Sequence, residues 1–347
     1  MNFNVVLPLC SSLLSFVLFA LLVDQWLELR RAYQAVWALG MLWYAISAGT
    51  EFVGGAFGWS EPLYRIWYLI GATWVAGWLG LGTVLLLSRT RFGYALAGSL
   101  FLAGLFTALS EAKYHYSGSG IAPGLYFGIA LALAVAVAAD TLRGGNSWPR
   151  LVAAAIVAGT LASAVMMALA TLPAPGWIVD PTTHIPTGDL IPGYLRLLTP
   201  LFNVTGAFAL SLGAIFSAYV FMPKRRLIAY SCDRHQPLPS LLGNLLRAPL
   251  AIAVNLVASL PGALVALLSG RLNNRVPATL LIAIGGFIQA VTSGMSRFGD
   301  TGAFFVGELL GVIFLLAGFL VSIEVFAEIR IPFTNVVFRS RREPDAQ

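Results

Sequence analysis

Two carboxylates carry the first chemical question in this chain. Glu51 stands in the run AISAGTEFVGG and Glu308 in VGELLG, both otherwise free of charge. A carboxylate at membrane depth is costly; it faces a bundle interior or a water-filled cavity and often marks an ion path or proton relay. If both face inward they could form a binding or proton site, with Arg65 or Arg297 as the natural partner. The structural alternative is that each snorkels to water or pairs with that arginine. Glu111, Asp140 and Glu324 stand at the ends of apolar runs, where a structural role suffices.

A second group lies in GWIVDPTTHIPTGDLIPG, which holds Asp180, His184 and Asp189. Carboxylate and imidazole could together ligate a divalent ion, although this spacing matches no established ligand pattern. The prolines equally suit a rigid loop that caps the bundle or covers a ligand. Trp74 and Trp78 are four apart and share one helix face. They could line an apolar ligand pocket or simply pack. Trp59, Tyr64, Trp67 and Tyr68 fit an aromatic belt at a membrane interface.

Other chemistry is excluded by what is missing. The lysines, Lys113 and Lys224, and the histidines, His115, His184 and His235, all fall between apolar runs. That leaves no lysine for a retinal Schiff base and no histidine pair for a haem inside a bundle. No Walker loop, HExxH or GxSxG occurs. Cys10 and Cys232 make neither a disulfide framework nor a metal site. These absences predict a non-enzyme without a cofactor.

The elements that must hold Glu51 and Glu308 follow from composition. Of 347 residues, 58% are hydrophobic and 10% charged, with a net charge of +6 and a mean hydropathy of +0.82. That leaves too little polar surface for a water-soluble particle, so lipid must cover the rest. The basic residues sit between apolar runs, as orientation signals do, and do not indicate nucleic acid. The expected fold is all-α, a polytopic transmembrane bundle of about nine or ten spans. Seven spans occupy 1–222, at about Val5–Val23, Tyr33–Phe57, Leu63–Leu87, Tyr94–Leu109, Leu125–Ala139, Leu151–Leu172 and Leu201–Met222. The uncharged start MNFN argues that the first is retained rather than cleaved. A basic cytoplasmic loop with an interfacial helix fills 223–248; LPSLLGNLL between Arg234 and Arg247 suits anionic headgroups.

Orientation comes from the arginines. Arg30, Arg31, Arg89, Arg91, Arg143, Arg150 and the group from Lys224 to Arg247 follow the odd-numbered spans, while the alternate loops hold only Arg65, Lys113 and Arg196. The positive-inside rule then places the N-terminus outside. If the apolar run 249–270 also crosses, the pair Arg271 and Arg275 and the basic tail 329–347 end outside, against that pattern. Pro261 near its middle suggests a re-entrant pair of half-helices or a kinked segment that makes no net crossing. A transmembrane hairpin at 271–328 would then return the tail to the cytoplasm. A faint similarity of AISAGTEFVG (Ala45–Gly54) to AVTSGMSRFG (Ala290–Gly299) favours the same choice.

The first seven spans, with WALGMLWYAISAGTEF followed by LYRIWYLIGATWVAGW, resemble the seven-span sensor regions of some bacterial histidine kinases. The resemblance implies a module that senses a ligand or the membrane. The departure is that more membrane segments, not a kinase, follow the seventh span. Beside a membrane enzyme that uses Asp180, His184 and Asp189 at the outer face, two further functional readings remain open. One is a bacterial inner-membrane protein that binds a small apolar or amphiphilic ligand or a membrane partner, as sensor or scaffold. The other is a secondary transporter coupled through Glu51 and Glu308. The partners expected are the lipid bilayer, a small apolar or cationic ligand, and a second copy or another membrane protein.

Overall fold

The computed structural model describes residues 3–230, 238–269, 271–297, 303–322, 328–330 and 337–339. Ten helices follow one another: α1 (Phe3–Leu29), α2 (Ala32–Phe57), α3 (Glu61–Leu86), α4 (Gly93–Tyr114), α5 (Ala122–Arg143), α6 (Trp148–Leu169), α7 (Gly193–Phe221), α8 (Leu238–Leu268), α9 (Arg275–Arg297) and α10 (Phe304–Val321). Each holds a stretch long and apolar enough to cross a membrane. The chain is therefore an all-α polytopic membrane protein. Two short strands, β1 (Glu328–Arg330) and β2 (Val337–Arg339), pair antiparallel. Arg234, His235, Cys232, Glu324, Arg341 and Arg342 lie outside the described residues.

Local sequence sets the helix limits. Pro62, Pro123 and Pro149 stand in the first turns of α3, α5 and α6, where a missing N–H costs nothing and φ is already helical. Gly58, at φ 97°, turns the chain out of α2, a conformation in which a Cβ would be strained. α3 is not a uniform helix, since residues Ile70–Trp74 form a π-helical turn. Such turns recur at functional sites in membrane and soluble proteins alike.

Helix ends sort onto two faces. At one, Asn4 Nδ2 donates to the Thr183 carbonyl, Tyr64 donates to the Thr187 carbonyl, and the Gly193 N–H donates to the Ser117 carbonyl at 2.8 Å. The starts of α1 and α3 thus meet the loop 170–192, which caps this face, and the start of α7 meets the connection that follows α4. At the other face, Trp37 near the start of α2 meets Phe319 near the end of α10 edge to face, with ring centroids 5.1 Å apart. There too the Arg275 guanidinium sits 4.3 Å from the centre of the Phe221 ring. Arg30, Arg31, Arg89, Arg91, Lys224 and Arg225 all belong to the connections on this second, basic face.

Close helix approach depends on glycine. A Cβ on Gly80 of α3 would lie 2.6 Å from Gly206 Cα on α7, so a side chain there would force the two backbones apart. The apolar centre then closes around Trp37, Met41, Leu79, Leu315 and Phe319. Leu161, Val165, Leu169 and Leu264 remain exposed on the outside of the bundle, as a lipid-covered surface requires.

The expected break at Pro261 is not there. α8 runs as one helix through Pro249 and Pro261, and the stretch expected to lie flat, 238–246, forms its first turns. Instead of two half-helices, a single helix is anchored at the basic face. Asn255 accepts from the Leu227 N–H (2.7 Å) and the Ile228 N–H (2.9 Å) and donates to the Ile228 carbonyl (2.8 Å). Ser259 accepts from the Arg225 N–H at 2.9 Å. Only six residues separate the end of α8 from Arg275, which is already at Phe221. α7 therefore ends, and α9 begins, on the same face, so α9 and α10 continue the antiparallel alternation of α1–α7 with α8 inserted between.

Asn255 is fully buried and serves three backbone groups at once. Asn255→Leu leaves them unpaired, at about 1–3 kcal/mol for each buried group. The segment 223–230 should loosen, and trypsin should cleave at Lys224–Arg226 faster in the variant than in the parent in detergent, while the melting of the bundle changes little. Equal cleavage rates would contradict this anchoring.

Candidate functional site

Glu51 on α2 and Glu308 on α10 meet in the interior. They are 2% and 9% exposed, and their carboxyls adjoin one another. Like charges buried side by side disfavour double ionisation, so such a pair favours keeping one proton. The remaining donor to the pair is Trp67 of α3, whose Nε1–H reaches Glu51 Oε1 at 2.7 Å. No donor from the rest of the described chain reaches Oε2 of either residue.

Three helices are pinned beside the pair. Tyr44 of α2 donates to the backbone carbonyl of Glu308 at 3.1 Å, and Gln289 of α9 donates to the Tyr44 hydroxyl at 3.0 Å. Gly311 makes room for Gln289, since a Cβ there would collide with its side chain. The carboxyl pair is thus held by a polar chain that crosses from α9 to α2 to α10.

Both carboxyls line a cavity of about 540 Å³. It lies in the wedge between α7 and α9. These helices touch at Ser211 and Gly286, where a Cβ on the glycine would be 2.6 Å from Ser211 Oγ. Towards the cap they part, and residues from Pro200 to Ser211 form one wall and Gly286 to Ser296 the other. Tyr44, Glu51, Trp67 and Glu308 form the back. The π-helical turn places Gly71 and Ala72 on this wall as well. Pro200 lies inside α7, where it removes one hydrogen bond of the ladder beside the cavity.

The cap loop lines the upper end. Asp180, Pro186, Thr187, Gly188 and Asp189 all contribute to the lining. Asp180 Oδ1 accepts from the N–H groups of Thr182 and Thr183, each at 2.8 Å. Those two bonds, that from Thr183 first, hold its carboxyl below the usual carboxylate range, so it stays charged at neutral pH. Asp189 is bridged to Arg196 of α7 at 3.1 Å, and the Arg196 guanidinium lies 4.5 Å from the centre of the Tyr116 ring.

The sequence candidates separate cleanly. Glu51 and Glu308 come together. Arg65 does not join them: it bonds Glu61 at 2.9 and 2.6 Å and donates to the carbonyls of Met167 and Ala170, capping the end of α6. The Arg297 side chain lies outside the described residues. Trp74 and Trp78 face α6, where their Nε1–H groups reach Ser163 Oγ at 3.0 Å and Thr160 Oγ1 at 3.2 Å; neither lines the cavity. Asp180 and His184 share one turn, in which the His184 N–H donates to the Asp180 carbonyl at 2.8 Å, Asp189 bonds Thr187 and Arg196 instead, and among the described residues no three His, Cys, Asp or Glu side chains converge on a metal position. The participants that sequence reasoning passed over are Gln289, Asn203 and Ser211. Each is a polar residue inside an apolar run, a signal for interhelical bonding.

Compared with protein families, with curated proteins and with solved structures, the chain matches none of them. What the site does must be argued from its own atoms.

The Trp67 bond to Glu51 is open to measurement. Trp67→Phe deprives a buried carboxyl oxygen of its donor and should cost about 1–3 kcal/mol, read as a lower melting temperature in detergent. In a Glu51→Leu background the same change should cost far less. Equal costs in both backgrounds would show that the pairing carries no energy.

Proposed function

We propose that this chain is a proton-coupled secondary transporter of a bacterial inner membrane, with Glu51 and Glu308 as the coupling site. The observation that carries the reading is the cavity that reaches both carboxyls. Ligand binding alone needs a cavity, but it does not need a buried carboxyl pair that favours keeping a proton. A proton in that position can leave when a solute arrives and return when it departs. This exchange links the two fluxes.

The direction of opening follows from the charges. With the basic face in the cytoplasm, the N-terminus, the cap loop and the wedge face outward. The cavity is then the outward-facing state. An inward-facing state requires the wedge to close above Ser211 and a path to open below it. The π-helical turn in α3 and Pro200 in α7 lie on the walls that must move, and both are places where the backbone ladder is already interrupted. The Asp189–Arg196 pair ties the cap loop to α7 and serves as the outer latch.

Reconstituted liposomes test this. With a proton gradient imposed and candidate solutes offered, internal pH should change with solute flux, and both Glu51→Gln and Glu308→Gln should reduce the coupled flux to that of empty liposomes. Coupled flux that survives in both variants would refute the assignment. Asp189→Asn should retain coupling while altering the rate, because it loosens the latch without touching the carboxyl pair.

A further inference from the structure

From the chemistry of the wedge we infer that its solute is an amphiphilic ammonium ion, a protonated primary or secondary alkylamine. This identifies the substrate class of the coupling site and rests on the transport reading above. Four independent features of the cavity wall lead to it.

The first is hydrogen-bonding polarity. The buried polar atoms on this wall without a partner are Glu51 Oε2, Glu308 Oε2, Asn203 Oδ1 and Ser211 Oγ. Asn203 Oδ1 and the ionised carboxylate of the pair only accept, the protonated carboxyl has a single donor, and Ser211, 1% exposed, brings a hydroxyl. None of these buried, unpartnered atoms of the cavity-lining residues is an N–H group. A ligand that satisfies this wall must donate, and a carboxylate or phosphate would leave the acceptors unpaired. A primary ammonium offers three donors on one small centre.

The second is charge. Among the described residues, Glu51, Glu308, Asp180 and Asp189 line the cavity against a single cation, Arg196. That cation is already paired to Asp189 and stacked on Tyr116. The potential in the wedge is therefore negative, and the low-dielectric walls focus it. The third is aromatic. Tyr44, Trp67 and Tyr68 contribute to the wall behind the carboxyls, and aromatic faces stabilise a desolvated cation.

The fourth feature concerns the tail. Phe106, Phe208 and Phe287 line the open side of the wedge. Phe287 is 39% exposed, within a helix long and apolar enough to span a membrane. The cavity thus reaches the lipid-facing surface between α7 and α9. An alkyl chain can remain in that gap, or in lipid, while its headgroup sits on the carboxyls. Such a solute enters sideways from the bilayer as well as from above.

The exchange balances. The resting pair holds one proton and one negative charge. When R–NH3⁺ arrives, that proton leaves to water, and the two carboxylates accept from the ammonium. One positive charge replaces another, and no bond other than O–H and hydrogen bonds changes.

Three probes with one tail distinguish the possibilities: hexylamine, hexyltrimethylammonium and hexanol. Binding to the purified full chain is followed by calorimetry, and proton release by an indicator in weakly buffered detergent solution. Hexylamine should bind and release about one proton per protein, because the pair shares one. Hexyltrimethylammonium, which has the charge but no donor, should bind at least roughly tenfold more weakly, as loss of hydrogen bonds to a charged group implies. Hexanol should release no proton. Glu51→Gln and Glu308→Gln should abolish proton release. Phe287→Trp, which leaves the carboxyls intact, should weaken hexylamine binding by narrowing the gap while the melting temperature holds. Equal binding of hexanol and hexylamine, or hexylamine binding without proton release, would overturn the inference. Hexylamine binding with proton release but no flux in liposomes would refute transport alone. Coupled flux of another solute through Glu51 and Glu308, with no hexylamine binding, would refute the amine alone.

Discussion

The meeting of the buried Glu51 and Glu308 carboxyls is the contact on which the rest of the molecule depends. Two acids buried together in an apolar bundle favour keeping one proton and need donors around them. Trp67 supplies the donor from α3, and Tyr44 with Gln289 ties α2, α9 and α10 into register beside the pair. Those helices come from the two ends of the chain. Bringing them together requires α10 to pack back against the first helices, which it does through Trp37 and Phe319.

The cost of that burial is offset by ordinary membrane packing. Glycine contacts such as Gly80 with Gly206 bring α3 onto α7 at backbone distance. Tryptophan N–H groups are spent on α6 hydroxyls and on the Leu79 carbonyl rather than on a ligand. Where the packing is incomplete, between α7 and α9 above Ser211, the cavity appears. A site that must admit a solute cannot also be the tightest part of the bundle, and the wedge meets the carboxyls where polar groups outnumber good partners.

Much of the architecture was legible in the sequence because lipid imposes a simple rule. A span needs about 20 apolar residues, and its backbone must satisfy itself. The helices therefore fall where the apolar runs fall, and the arginines gather on one face as the positive-inside rule demands. Glu51 and Glu308 were legible for the same reason: each is a costly exception. The partners were not. Arg65 looked like a counter-ion, but a guanidinium near a helix end is equally able to cap carbonyls, and it does so at Met167 and Ala170. Trp74 and Trp78 share a face, but their spacing does not say which neighbour that face meets. At Pro261 the sequence left two forms open, a pair of half-helices or a kinked segment, and α8 runs through that proline as one helix.

The proton shared by Glu51 and Glu308 is the claim on which everything else turns, and infrared spectroscopy of the purified protein reads it directly. The account predicts a protonated-carboxyl carbonyl band in the resting protein that disappears in Glu51→Gln and in Glu308→Gln and is lost when an ammonium ligand binds. Absence of that band in the wild type, or its persistence in both variants, would contradict it.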